Sequence, residues 1–219
     1  MKFNYTEVWG IESALRGMRN PLNSWSKSDS GIDTQTGMFQ IGADDLKLAT
    51  TLIKAGPEHR KFMRQIFVSV DITAPLYWWK EFDTYKVGTT ANSTSTMHKI
   101  ASEPITINNF ETNDYCKELD MSSCYKENTV EEFSIELING LETLRKKYIV
   151  TKDKKYWKEL IRWLPESWLQ TRTVTMNYEN ILTIIKQRTG HKLVEWRDFI
   201  RWACNLPYAE QLINSEQFR

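Results

Sequence analysis

"QIFVSVDITAPLYWWKEFDTYK", residues 65–86, joins two periodicities at one proline. Ile66, Val68, Val70 and Ile72 recur at every second position, which predicts a strand with one buried face. Pro75 suits the first turn of a helix, because the amide it lacks is one that turn leaves unpaired. The spacing beyond it predicts a helix over about 75–86, with Trp78, Trp79, Phe82 and Lys86 along one broad side. Taken alone, the tryptophan pair reads as an aromatic core seam.

After Lys86 the apolar period disappears. "VGTTANSTSTMH", residues 87–98, is dense in hydroxyls and amides, groups that bond phosphate and backbone turns alike, and reads as a surface loop. Toward the N-terminus, residues 3–9 read as a strand and "ESALRGM" as a short helix. "RNPLNSWSKSDSGIDTQTG" is a loop, and residues 43–55 form a helix stopped by Gly56 and Pro57. The C-terminal half is helical. "TVEEFSIELINGLETLRKKYIV" is an amphipathic helix capped by Asn128 or Thr129, and "KKYWKELIRWL" is stopped by Pro165. "QTRTVTM" is extended, and a helix over 177–189 ends at Gly190. A further helix breaks at Pro207 and leaves a short terminal one.

At 219 residues and 41% hydrophobic content, the chain supports one elaborated domain over 1–219. A formal charge of +1, from 29 basic and 28 acidic residues, creates no field drawing it to nucleic acid or an anionic membrane. No apolar run reaches the roughly 18 residues of a membrane span, and "MKFNYTEVWGIESALRGM" lacks a secretory core, so a cytoplasmic location is expected. Cys116, Cys124 and Cys204 match no zinc spacing. They read as reduced, packed thiols, and no metal site is expected.

The 177–189 helix carries the most pointed signal. Asn177 and Arg188 are eleven residues apart, close to three turns, so they share a face while standing roughly 16 Å apart along the axis. With Ile181, Ile184 and Ile185 on or beside that face, the pattern suits a long ligand with two distinct ends. An ordinary Asn cap and an Arg at the negative end of the helix dipole fit equally well.

Several patches together resemble the flavin-dependent thymidylate synthases. "APLYWWKEFDTYK" is similar to that family's A-P-x-F-x-x-R-Q-W-x-R-H-R segment, and "NSTS", residues 92–95, to the N-E-x-S that follows. "IRWLPESWLQTRTVTMN" resembles its A-R-x-x-L-P stretch and the helix beyond, matching Arg162, Leu164, Pro165 and Asn177. Arg188 stands at the position of that helix's terminal arginine, Glu195 and Trp196 resemble the Q-W-E after it, and His59 precedes Pro75 by sixteen residues as an active-site histidine does. The resemblance implies an α+β fold, helices packed around a small mixed or antiparallel sheet. It implies a homotetramer with each active site built from several chains. The implied reaction is methylation of dUMP at C5 to dTMP, using FAD, NADPH and 5,10-methylenetetrahydrofolate. Arg188 and Ser95 would be catalytic. Arg162, Arg188, Ser95, Thr94, Thr96 and Glu81 would bind the nucleotide, and His59, Lys86, Asn92, Asn177 and His191 the flavin.

The chain departs from the pattern where the family has R-H-R, since Thr84, Tyr85 and Lys86 stand there. Glu81 replaces a glutamine, Met97 or His98 replaces an arginine, and one extra residue separates Lys86 from Asn92. Each lost charged bond to a phosphate costs about 1.5–3 kcal/mol. Two alternatives therefore stand beside thymidylate synthesis: a related C5 modification of another pyrimidine nucleotide, and a non-catalytic nucleotide-binding homo-oligomer with a decayed flavin site.

Overall fold

The computed structural model describes residues 1–123 and 126–213. Strand β1 (Lys2–Trp9) and helix α1 (Ile11–Met18) lead to a hairpin of β2 (Gly31–Ile32) and β3 (Phe39–Gln40). Helix α2 (Ala43–Lys54), β4 (Phe67–Pro75), α3 (Leu76–Phe82), β5 (Thr90–Ser93) and α4 (Thr96–Lys99) follow. Then come α5 (Val130–Thr151), α6 (Lys154–Arg162), β6 (Leu169–Asn177), α7 (Tyr178–Arg188), α8 (Val194–Cys204) and α9 (Ala209–Leu212). Four strands form one sheet in the order β1-β4-β6-β5, and β2 pairs antiparallel with β3. The architecture is α+β, as the resemblance implied.

The chain forms two compact units. The first comprises Met1–Ile72, Phe82–Asn92 and the chain from Arg172 on; the second comprises Thr73–Glu81 and Ser93–Thr171. In the first, Ile66, Val68, Val70 and Ile72 are all fully buried, as their alternation requires. Helix α7 buries Ile181, Leu182, Ile184 and Ile185, and α8 buries Trp196 and Phe199. Buried Asp45 on α2 gathers the preceding loop: it accepts from Arg19 Nε at 2.5 Å, Ser28 Oγ at 2.6 Å and Ser30 Oγ at 2.5 Å. Burial opposes its ionisation, but these bonds outweigh burial and hold its carboxyl below the ordinary range.

In the second unit, α5 opens with a capping box between Thr129 and Glu132, which settles the cap as Thr129. Leu141 on α5 and Leu160 on α6 close over Ile100, Ile105 and Phe110. Glu142 binds Arg145 through two bonds of 2.6 and 2.8 Å and accepts from the Ile105 amide at 2.9 Å. The arginine bonds lead in pulling its carboxyl down to about 2.

Three expectations are corrected. Pro75 ends β4 rather than opening a helix, and α3 covers only 76–82. It starts where it does because the amides of Leu76 and Tyr77 are taken by the carbonyls of Trp168 (3.0 Å) and Glu166 (3.2 Å). Lys86 accordingly lies beyond the helix. The polar tract is not all loop, for it holds β5 and α4, where the Ser95 hydroxyl caps α4 by accepting from the His98 amide at 3.2 Å. Cys116 and Cys204 are free thiols on exposed residues rather than packed ones; Cys124 lies outside the described residues. The core-seam reading holds: Trp78 and Trp79 are fully buried and meet edge-on at 4.9 Å.

Candidate functional site

In the first unit the site is organised by α7. Asn177 is its N-cap, 8% exposed, with Oδ1 accepting from the Asn180 amide at 2.9 Å while Asn180 Oδ1 accepts from the Asn177 amide at 3.1 Å. Asn180 also donates from Nδ2 to the Val87 carbonyl at 2.8 Å. That bond fastens the 85–89 turn to the start of the helix. Gly88 in this turn has φ +76°, and an added Cβ would stand 3.0 Å from Asn180 Oδ1 and 3.1 Å from Asn177 Nδ2. The turn is closed further by Thr89 Oγ1 donating to the Tyr85 carbonyl.

At the far end of α7, Arg188 Nε donates to Tyr85 Oη at 2.8 Å. Its guanidinium carbon stands 4.6 Å from the centre of the Trp196 ring and 5.4 Å from that of Tyr85. His191 meets the same tryptophan edge-on at 6.3 Å, and its Nδ1 accepts from the Leu193 amide at 3.2 Å. The 84–89 segment thus lies along α7 from cap to terminus. Asn177 and Arg188 stand at the two ends of α7, each with defined partners. Ile181, Ile184 and Ile185 between them are fully buried in the core, so the apolar face expected to meet a long ligand is instead packed against the protein.

His59 is exposed and lines an open cleft of about 1080 Å³ together with Lys27, Lys47, Lys61, Leu48 and Phe62. Its neighbour Arg60 pairs with Glu179 in the first turn of α7 at 3.2 Å, and Arg64 bonds the same carboxylate. Burial works against ionising Glu179, yet the two arginines prevail and lower its pKa. The His59 segment is therefore pinned to the same end of α7 that Asn177 caps. Lys86 is exposed in the 85–89 turn, and Asn92 is exposed on β5, which neighbours the strand leading into α7.

The remaining candidates belong to the second unit. Thr94 and Ser95 connect β5 to α4, and Thr96 is the first residue of that helix. The Thr94 amide donates to the Thr171 carbonyl at 2.9 Å, and Gln170 Nε2 donates to the Thr94 carbonyl at 2.9 Å and to Thr96 Oγ1 at 3.3 Å. Trp157 on α6 donates from Nε1 to the Met97 carbonyl at 3.0 Å. Arg162, at the end of α6, is half exposed and paired with Glu159. Glu81 is half-buried near the end of α3.

Sequence reasoning passed over Asn180 and Gln170, and named Tyr85 only as a departure from the R-H-R pattern. Asn180 carried a legible signal, the i,i+3 spacing from Asn177 that a capping box requires. Gln170 carried none, and the contact of Tyr85 with Arg188 carried none either, because each acts on a residue remote in sequence.

No protein-family model and no curated protein sequence matches the chain. Among solved structures, it is similar to the flavin-dependent thymidylate synthase ThyX of Helicobacter pylori complexed with FAD and dUMP. That match has 18% identity and a TM-score of 0.67, covering 97% of this chain and 98% of that one. A second Helicobacter pylori ThyX structure with FAD and dUMP matches at 16% identity and a TM-score of 0.67, covering 97% of both chains. The agreement extends over almost the whole of each chain, and on that ground this chain has the fold of the flavin-dependent thymidylate synthases.

Proposed function

We propose that the protein binds FAD and methylates dUMP at C5 to give dTMP, with 5,10-methylenetetrahydrofolate as carbon donor and NADPH as reductant of the flavin. The observation that carries this reading is the dressed helix α7, with Asn177 and the His59 segment at one end and Arg188 at the other. It stands in a fold shared with two solved ThyX structures that hold FAD and dUMP. The residues present fit a flavin dinucleotide. The His59 cleft combines Lys27, Lys47 and Lys61, suited to a pyrophosphate and set beside Asp44 and Glu58, with the apolar walls of Leu48 and Phe62 suited to a ring system. His59, Lys86, Asn92, Asn177 and His191 are the residues assigned to hold it. Bound flavin supplies the hydride and folate the carbon.

The protein's own part is orientation and electrostatics. Arg188 would hold a uracil carbonyl edge and stabilise the enolate charge that develops there. Ser95, Thr94, Thr96, Arg162 and Glu81 would secure the nucleotide, with the Ser95 hydroxyl bonding phosphate. Arg162 exchanges an exposed partner, Glu159, to do so. We assign the whole chain as one functional domain working as a cytoplasmic homotetramer whose sites draw on several chains. One observation favours a second reading, related chemistry on another pyrimidine nucleotide or nucleotide binding without catalysis. Tyr85, in the segment matching R-H-R, is turned onto Arg188.

The test is a spectroscopic FAD titration with and without dUMP. Saturable binding with a flavin spectrum that shifts on adding dUMP supports the proposal. Flavin binding with no dUMP response favours another nucleotide, and no flavin binding favours the non-catalytic form.

A further inference from the structure

We infer that Tyr85 is a positioning residue that sets Arg188 for its ligand, an inference that rests on the function proposed above. Arginine has many rotamers, and a ligand that must select one bears that entropy on binding. Here Tyr85 and Trp196 both hold the side chain. The Tyr85 hydroxyl takes Nε at 2.8 Å, which fixes the rotation of the guanidinium about its stem. The Trp196 and Tyr85 rings, with centres 4.6 and 5.4 Å from the guanidinium carbon, fix its position. The rings brace each other edge-on at 6.2 Å, and Phe82 supports Tyr85 at 6.3 Å. Trp196 is fully buried, so the platform cannot drift. The Tyr85 backbone is held as well, its amide bonded to the Phe82 carbonyl at 2.9 Å and its carbonyl to Thr89. Nε donates to Tyr85, and the clamp sets the direction of the guanidinium plane that a carbonyl edge or phosphate meets. The tyrosine thus serves nucleotide affinity without touching the nucleotide.

The experiment has two arms. In the first, the Arg188 Nε–Hε resonance, assigned by its loss in Arg188→Lys, is followed by solvent exchange in ligand-free wild type and in Tyr85→Phe. Protection in wild type and faster exchange in the variant establish the clamp; equal exchange overturns it. In the second, calorimetric dUMP affinity is measured across a cycle of Tyr85→Phe and Arg188→Ala. Loss of one bond to a charged group predicts about tenfold weaker binding in Tyr85→Phe and no further loss when Arg188 is already alanine. Undiminished affinity in Tyr85→Phe, or an equal loss in the Arg188→Ala background, overturns the positioning role. A wild type with a protected Nε–Hε that fails to bind dUMP overturns the function reading and the ligand role of Tyr85 together. The clamp itself still stands in that case.

Discussion

Gly88→Ala tests whether the 85–89 turn is held to α7 as the structure describes. Gly88 has φ +76°, a region that costs an L-residue roughly 1–2 kcal/mol. The new methyl group would also stand 3.0 Å from Asn180 Oδ1 and 3.1 Å from Asn177 Nδ2, closer than ordinary contact allows. The capping box fixes both asparagines, so the turn must move rather than the helix. Lifting it breaks the 2.8 Å bond from Asn180 to the Val87 carbonyl, worth about 1 kcal/mol. The expected destabilisation is about 2–3 kcal/mol, which in a chain of this size lowers the melting temperature by roughly 5–10 °C. Thermal and urea unfolding of the two proteins measure it. Gly88→Asn separates the two contributions, because asparagine tolerates the left-handed region but still adds Cβ; its loss should be smaller, yet not zero. A Gly88→Ala protein melting within about 1 °C of wild type would refute the close approach of the turn to Asn177 and Asn180.

Three further outcomes follow from the same geometry. Arg188→Ala should weaken dUMP binding by about 10–100-fold, the worth of charged hydrogen bonds, while FAD binding changes far less; equal losses for both ligands would remove Arg188 from the nucleotide site. Glu142, held at about 2 in the fold against an ordinary value of 4.5, contributes stability that is complete above pH 4.5 and lost as pH falls toward 2, on the order of 3 kcal/mol. Urea midpoints of wild type and Glu142→Gln should therefore differ at neutral pH and converge near pH 2. Asp45→Asn should cost about 3 kcal/mol or more, because it leaves Arg19 buried, at 4% exposure, without its carboxylate; an unchanged urea midpoint would contradict the buried pair.

Local rules were legible wherever the residues that satisfy a rule are near one another in sequence. The alternation of Ile66, Val68, Val70 and Ile72 described β4's buried face, and Gly190, at φ +77°, marks the end of α7. The resemblance spread over residues 59–196 anticipated the α+β class, because order and spacing of motifs survive when identity has fallen to 16–18%. The helix expected over 75–86 was misjudged in both directions for one reason. Its start is set by carbonyls of Trp168 and Glu166, and the chain beyond it is claimed by Arg172, which bonds Asp83 at 2.7 Å, and by Arg188, which bonds Tyr85. No propensity within the segment encodes partners ninety residues away. The polar tract misled similarly: hydroxyl and amide side chains permit strand, cap or loop, and a carbonyl from Thr171 with the side chain of Gln170 decided among them.

By itself the sequence determined which residues must be buried, where most elements run and which side chains carry charge or hydroxyls, since these depend on periodicity and residue chemistry. Only the tertiary structure decided that Tyr85 holds Arg188, that Asn180 fastens the Val87 carbonyl, and that His59 stands on a cleft lined by both lysines and carboxylates, beside an Arg60 paired to the start of α7. Each is a contact between residues distant in sequence. Its existence depends on a few ångströms of backbone placement, which the packing of the whole first unit sets and no local pattern specifies.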